Sequence, residues 1–165
     1  DEARIMDEYA DKYLSRLPNF DTQARVFISK ELQTYLTIID KRSNIEPSQH
    51  FRLLLTGAKI ANDLYAFSPD KVRDSAYLER ARAYAIHAIN ISPRNQVGYL
   101  ELAKAYVLAG DPDTAIRFLE LAADLEPRAR EPQIILLKMI QAQGNDDLFR
   151  KRWQIARDAI PNFDL

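Results

Sequence analysis

His50 and His87 are the only histidines in the chain, so metal binding or proton transfer at neutral pH would have to begin with them. Neither has a histidine four residues away on the same helical face, nor the glutamate that completes a zinc-binding helix. Gly57, Gly98, Gly110 and Gly144 are scattered singly, which leaves no glycine-rich loop to cradle a phosphate. No serine lies in a Gly-x-Ser-x-Gly turn, and the adjacent Asp146 and Asp147 suit the N-terminus of a helix better than an acid–base pair. No catalytic residue, metal ligand or cofactor site is therefore expected. The segment RKRWQIAR at 150–157, with Arg128 and Arg130 before it, brings cations together around an aromatic ring, a combination that can hold nucleic acid or lipid headgroups. At helical spacing it reads instead as the solvated face of a last helix with Trp153 in the core.

Composition narrows the function classes further. The 165 residues are 47% hydrophobic and 28% charged, with a net charge of -1, so the chain can bury a core and has no global attraction to polyanions. Cysteine is absent, which removes disulfides, thiolate metal sites and thiol nucleophiles. The longest apolar run, IILLKMI at 134–140, is far short of the roughly 20 residues that cross a bilayer. The chain opens on DEARIMDEYA, without an initiator methionine or a signal-peptide pattern, and is expected to be a processed chain or an excised domain. The compartment is not determined.

The elements that position these residues are helices nearly throughout. Ile5, Met6, Tyr9, Ala10, Tyr13, Leu14 and Leu17 form one apolar stripe ending at Pro18, and Ala24, Phe27, Ile28, Leu32, Tyr35, Leu36 and Ile39 form a second. A third helix is expected from about Gln49 to Tyr65, followed by a polar link, AFSPDKVRDS. From about Ala76 the chain becomes regular, with helices to Ile91, to Ala109, from Pro112 to Leu125, to Gln143 and from Asp146 to Ala159. Pro93, Pro127 and Pro161 recur at an interval of 34 residues, as do Gly110 and Gly144, and Ala88, Ala122 and Ala156. Each glycine sits where a helix C-terminus needs a left-handed residue. Asp111, and Asn145 or Asp146, then cap the helix that follows. The repeated alanines fit where two helices of a hairpin approach closely.

These residues resemble the tetratricopeptide repeat (TPR) family. Counted from Gln96, the family's marked positions hold Tyr99, Leu102, Ala103, Tyr106, Ala115, Leu119, Ala122 and Pro127. Counted from Arg130, the next unit keeps Leu136, Trp153, Ala156 and Pro161, with Gln133, Leu137, Ile140 and Phe149 at the others. The resemblance implies an all-α fold, a right-handed superhelix of antiparallel helical hairpins with about eight helices. It would be a single domain made of a divergent N-terminal pair (1–48), a unit with a longer internal loop (49–93), a well-matched repeat (94–127) and a partial one (128–161).

It also implies a non-catalytic protein or peptide-binding scaffold, because the first helix of each hairpin lines a concave groove in this family. The groove positions are Val97, Leu100, Lys104 and Val107 in one repeat and Glu131, Ile134, Lys138 and Gln141 in the next. With Leu54 aligned as the first large residue, the earlier helix adds Arg52, Leu55, Lys59 and Asn62. Lys59, Lys104 and Lys138 then run beside Leu55, Leu100 and Ile134, a row suited to a peptide with acidic groups and apolar anchors. Lysine occupies the place where carboxylate-clamping repeats carry asparagine, so a chaperone-tail adaptor is not expected.

The stretch from Glu79 to Pro127 also resembles, less specifically, the soluble TPR extension of bacterial O-antigen ligase or polymerase membrane proteins. That resemblance implies an extracytoplasmic appendage assisting recognition or assembly in envelope polysaccharide synthesis. Finally, LPNFDTQ at 17–23 resembles IPNFDL at 160–165 and leads into a helix. The C-terminal end is thus expected to continue the array or to present an open apolar face to a partner or a second copy.

Overall fold

A computed structural model of the chain describes residues 21–43, 50–67 and 75–165. The expected first helix ending at Pro18 and most of the two polar links lie outside the described residues. Among the described residues there are seven helices and no strand. The chain divides into two compact units, Asp1–Pro93 and Arg94–Leu165.

The described part of the first unit is α1 (Thr22–Ser43), α2 (Phe51–Phe67) and α3 (Ser75–Ile91). The Asp21 carboxylate accepts the Ala24 amide at 2.8 Å and so caps α1. Ile28, Leu32, Leu36 and Ile39, spaced four, four and three apart, form the buried stripe of α1. Phe27, expected on that stripe, is largely exposed, because one residue of offset turns it about 100° away. α2 packs against both α1 and α3 and is consequently buried around most of its circumference, polar Thr56, Asn62 and Asp63 included.

Gly57 makes that double packing feasible. A Cβ at this position would lie 3.1 Å from ring atoms of Tyr84 on α3 and 3.2 Å from a methyl of Ile39 on α1. The Tyr84 hydroxyl donates to Asp40 of α1, and Arg80 of α3 pairs with the same carboxylate. Burial, reinforced by Asp40, pushes the Tyr84 phenol well above its ordinary pKa, so it remains a donor across the working pH range. Arg25 of α1 donates to the Phe67 carbonyl at 3.2 Å, satisfying one of the acceptors left open at the end of α2.

The second unit is α4 (Gln96–Leu108), α5 (Pro112–Leu125), α6 (Arg130–Ala142) and α7 (Asp146–Ala159), each packed on the next. Both hairpin turns have the same construction. Gly110 (φ 81°) and Gly144 (φ 70°) adopt left-handed backbone, and the amides that follow them, Asp111 and Asn145, return to the carbonyls of Tyr106 and Ile140. Asp111 then accepts the Thr114 amide at 3.0 Å and Asn145 the Leu148 amide at 3.1 Å, so Asn145 rather than Asp146 is the cap of α7.

Ala103, Ala115, Ile116, Leu119, Ala123, Leu136 and Ile140 form a core shared by α4, α5 and α6. Leu137, Ala156, Ile160 and Phe163 form a second at the end of the chain. The recurring alanines, Ala88, Ala122 and Ala156, have no exposed surface.

At the C-terminal end Phe163 is buried, while Leu165 stays exposed. Phe163 folds back edge-on to Trp153 at 5.5 Å, beneath the Arg130 guanidinium, which also pairs with Asp164 at 2.7 Å. One repeat after the buried Ile116 and Ala123, α7 carries Arg150 and Arg157, both exposed.

Two measurements test this account. Gly57→Leu should lower the stability to urea unfolding by about 1–3 kcal/mol, because the added side chain would press on Tyr84 and Ile39. Hydrogen bonds from Thr114, through its side chain first and its amide second, hold the Asp111 carboxyl below its ordinary pKa. A depressed carboxyl stabilises the fold above its unfolded pKa and ceases to do so as pH falls through the folded one. Wild type should therefore lose more stability than Asp111→Asn between neutral pH and about pH 3, in paired urea titrations.

Candidate interaction surface

α4 divides cleanly into two faces. Gly98, Leu102 and Ala105 are buried, whereas Val97, Leu100, Lys104 and Val107 follow at three, four and three residues along another stripe. On that stripe Val97 is 39% and Val107 40% exposed, with Leu100 and Lys104 half-buried between them. Leu100 rests its inner side on the shared core, which also receives Leu136, Met139 and Ile140 from α6. On α6, Ile134 is half-buried against the terminal core, while Lys138, Gln141 and Glu131 are exposed. The second unit therefore presents every one of its expected groove residues with some surface to solvent.

In the first unit Leu55 and Lys59 are half-buried and Arg52 is exposed, but Asn62 has no exposed surface. The expectation for Asn62 fails because α2 is enclosed by α1 and α3, so an asparagine one turn beyond Lys59 faces protein rather than water. The alignment that assigned it to the groove carried no information about this enclosure.

The basic segment of α7 is not a continuous cationic patch. Arg152 is turned inward, its side chain only 11% exposed. It donates to Glu120 from Nε and Nη2 at 3.0 and 2.9 Å, and to Asp124 from Nη1 at 2.6 Å. Burial alone would lower its pKa, yet the hydrogen bonds to Asp124 and Glu120 outweigh it and raise the guanidinium further. Arg150 pairs with Asp147 at 3.1 Å, and Trp153 stacks on Phe149 at 6.0 Å between ring centroids. Sequence reading placed Trp153 correctly at the core and missed Arg152. The available signal was Glu120 and Asp124, four apart on α5.

Elsewhere, His50 is half-buried and His87 exposed, and no group of three or more potential metal ligands occurs among the described residues. No described helix is long and apolar enough to cross a membrane. A shallow depression of about 560 Å³ is lined by Glu126, Pro127, Arg128, Ala129 and Ala159, and its two charged residues are of opposite sign.

Solved structures of similar fold exist. TTC0263, a thermophilic TPR protein in Thermus thermophilus, superposes with a TM-score of 0.63 at 21% identity, over 84% of this chain and 72% of that one. The MamA RS-1 ArsTM double mutant gives 0.57 at 15% identity, over 95% of this chain and 82% of that chain. A crystal structure of MamA protein gives 0.50 at 15%, over 95% and 91%. At these identities the likeness is one of fold, and the fold is TPR-like. No protein-family model and no curated protein matches the chain.

Removal of the inward arginine should show that it belongs to the fold. Arg152→Met should cost about 1–3 kcal/mol in urea unfolding, since Glu120 and Asp124 lose their charged donor. Lys151→Met, on the exposed neighbour, should change stability by less than about 0.5 kcal/mol.

Proposed function

We propose that this chain is a non-catalytic TPR-type interaction module. Its second unit takes a peptide or protein segment with acidic groups and apolar anchors along α4 and α6. The observation that carries the reading is the placement of Val97 and Val107, two well-exposed β-branched residues on either side of Lys104. Exposed valines on a helix whose opposite face is fully packed gain by being covered, at about 25 cal/mol per Å² of apolar surface removed from water. Lys104 on α4 and Lys138 on α6 select the sign of what covers them, and Leu100 and Ile134 supply the apolar floor. An extended or helical peptide meets such a stripe with anchors every three or four residues or on alternate ones.

The first unit repeats the pairing on its own scale, with Leu55 and Lys59 one turn apart on α2. Asn62 is not part of the proposal. Lysine in place of the clamping asparagine argues for recognition of side-chain carboxylates spread along a segment rather than a single terminal carboxylate.

The test is a fluorescence-anisotropy titration with a labelled peptide in which glutamates alternate with leucine anchors. Lys104→Glu together with Lys138→Glu should weaken binding at low salt by roughly tenfold, equivalent to about 1.4 kcal/mol, and added salt should weaken wild-type binding in parallel. Val97→Ser with Val107→Ser should weaken it without altering the salt dependence. Binding that ignores the charge reversal would refute the reading.

A further inference from the structure

Arg117, Leu121 and Asp124 occupy one stripe of α5, and Lys151, Ile155 and Asp158 hold the same three positions of α7, one repeat later. All six are exposed, Leu121 at 49% and Ile155 at 37%. The two helices are neighbours, because Arg152 of α7 reaches Glu120 and Asp124 of α5. Read from N- to C-terminus, each stripe runs cation, apolar, anion. At 1.5 Å per residue the cation lies about 6 Å to one side of the apolar residue and the anion about 4.5 Å to the other. The equivalent positions on α3 are Ala83, His87 and Asn90, so the arrangement is not repeated there.

We propose that this face is where two copies of the chain meet, in a weak, reversible dimer separate from the peptide-binding face on α4 and α6. A stripe with charges of opposite sign balanced about an apolar centre is complementary to itself when reversed. A two-fold axis lying in the interface and crossing both helices at the level of Leu121 and Ile155 performs that reversal. It brings Leu121 against the partner's Leu121 and Ile155 against the partner's Ile155. Arg117 then faces the partner's Asp124, and Lys151 the partner's Asp158. The other face-to-face arrangement, with the axis along the helices, sets cation on cation and anion on anion and is disfavoured. Asp124 keeps capacity for a second cation, since its side chain is 57% exposed while it holds Arg152.

The size of the face predicts its strength. Two 14-residue helices, each about 21 Å long and about 10 Å across, offer about 400 Å² per copy. A stable interface usually uses about 800 Å² per partner. The ion pairs lie at the rim and orient the copies, so the association should depend on both salt and protein concentration.

Sedimentation equilibrium of the whole chain over a wide concentration range tests the proposal. A monomer–dimer equilibrium is expected at low salt. Arg117→Glu with Lys151→Glu should raise the dissociation constant at least tenfold, and Lys151→Glu alone at least threefold. Lys151→Glu combined with Asp158→Lys reverses the α7 stripe but leaves it self-complementary, and should return the constant to within threefold of wild type. These exposed substitutions are to be confirmed as folded by circular dichroism. A chain that stays monomeric at low salt would overturn the proposal. So would a dimer weakened less than these thresholds by the charge reversals, or one that the compensating swap fails to restore.

Discussion

Helices approach to about 8–10 Å only where the side chains between them are small, and that constraint governs both units of this chain. Ala88, Ala122 and Ala156 recur at one position of the repeat and are buried without remainder. Ala103 and Ala115 perform the same task inside the α4–α5 hairpin. Gly57 is the extreme case, since even a methyl group would press on Tyr84 and Ile39. Once the helices lie this close, the leucines and isoleucines beside each contact interdigitate. Each fully buried one then contributes about 1.5–3 kcal/mol.

Close packing also decides the fate of charge. Where α1, α2 and α3 come together, Asp40 is held by both Arg80 and Tyr84. Where α7 meets α5, Arg152 is turned inward onto Glu120 and Asp124. An inward guanidinium needs nearly all of its donors engaged to offset its lost hydration, and two carboxylates supply that here. What remains outside is correspondingly divided: two valines and Lys104 on α4 and Lys138 on α6, and charge-flanked leucine and isoleucine on α5 and α7. The second unit thus carries two chemically different exposed stripes.

Much of the helical order was legible without a structure. The turns at Gly110 and Gly144, the capping by Asp111 and the buried alanines all appear where the sequence placed them. On α4 and α6 the residues expected in the groove keep some surface open to solvent. The expectations that failed share a cause. Phe27 was assigned by helical spacing that a single residue of offset reverses. Asn62 was assigned by a repeat register blind to how many neighbours α2 has.

By itself, then, the sequence determined what depends on near neighbours in the chain. Helix starts follow from a carboxylate or amide three residues from an amide, helix ends from a residue without a Cβ, and repeat length from proline and alanine spacing. Only the tertiary structure decided which polar residues are enclosed and which apolar ones stay wet. Those outcomes depend on how many elements surround a helix and on partners some thirty or more residues away, as with Arg152 and Glu120 or Arg80 and Asp40. Burial is a property of the assembled neighbourhood, and no local spacing encodes it.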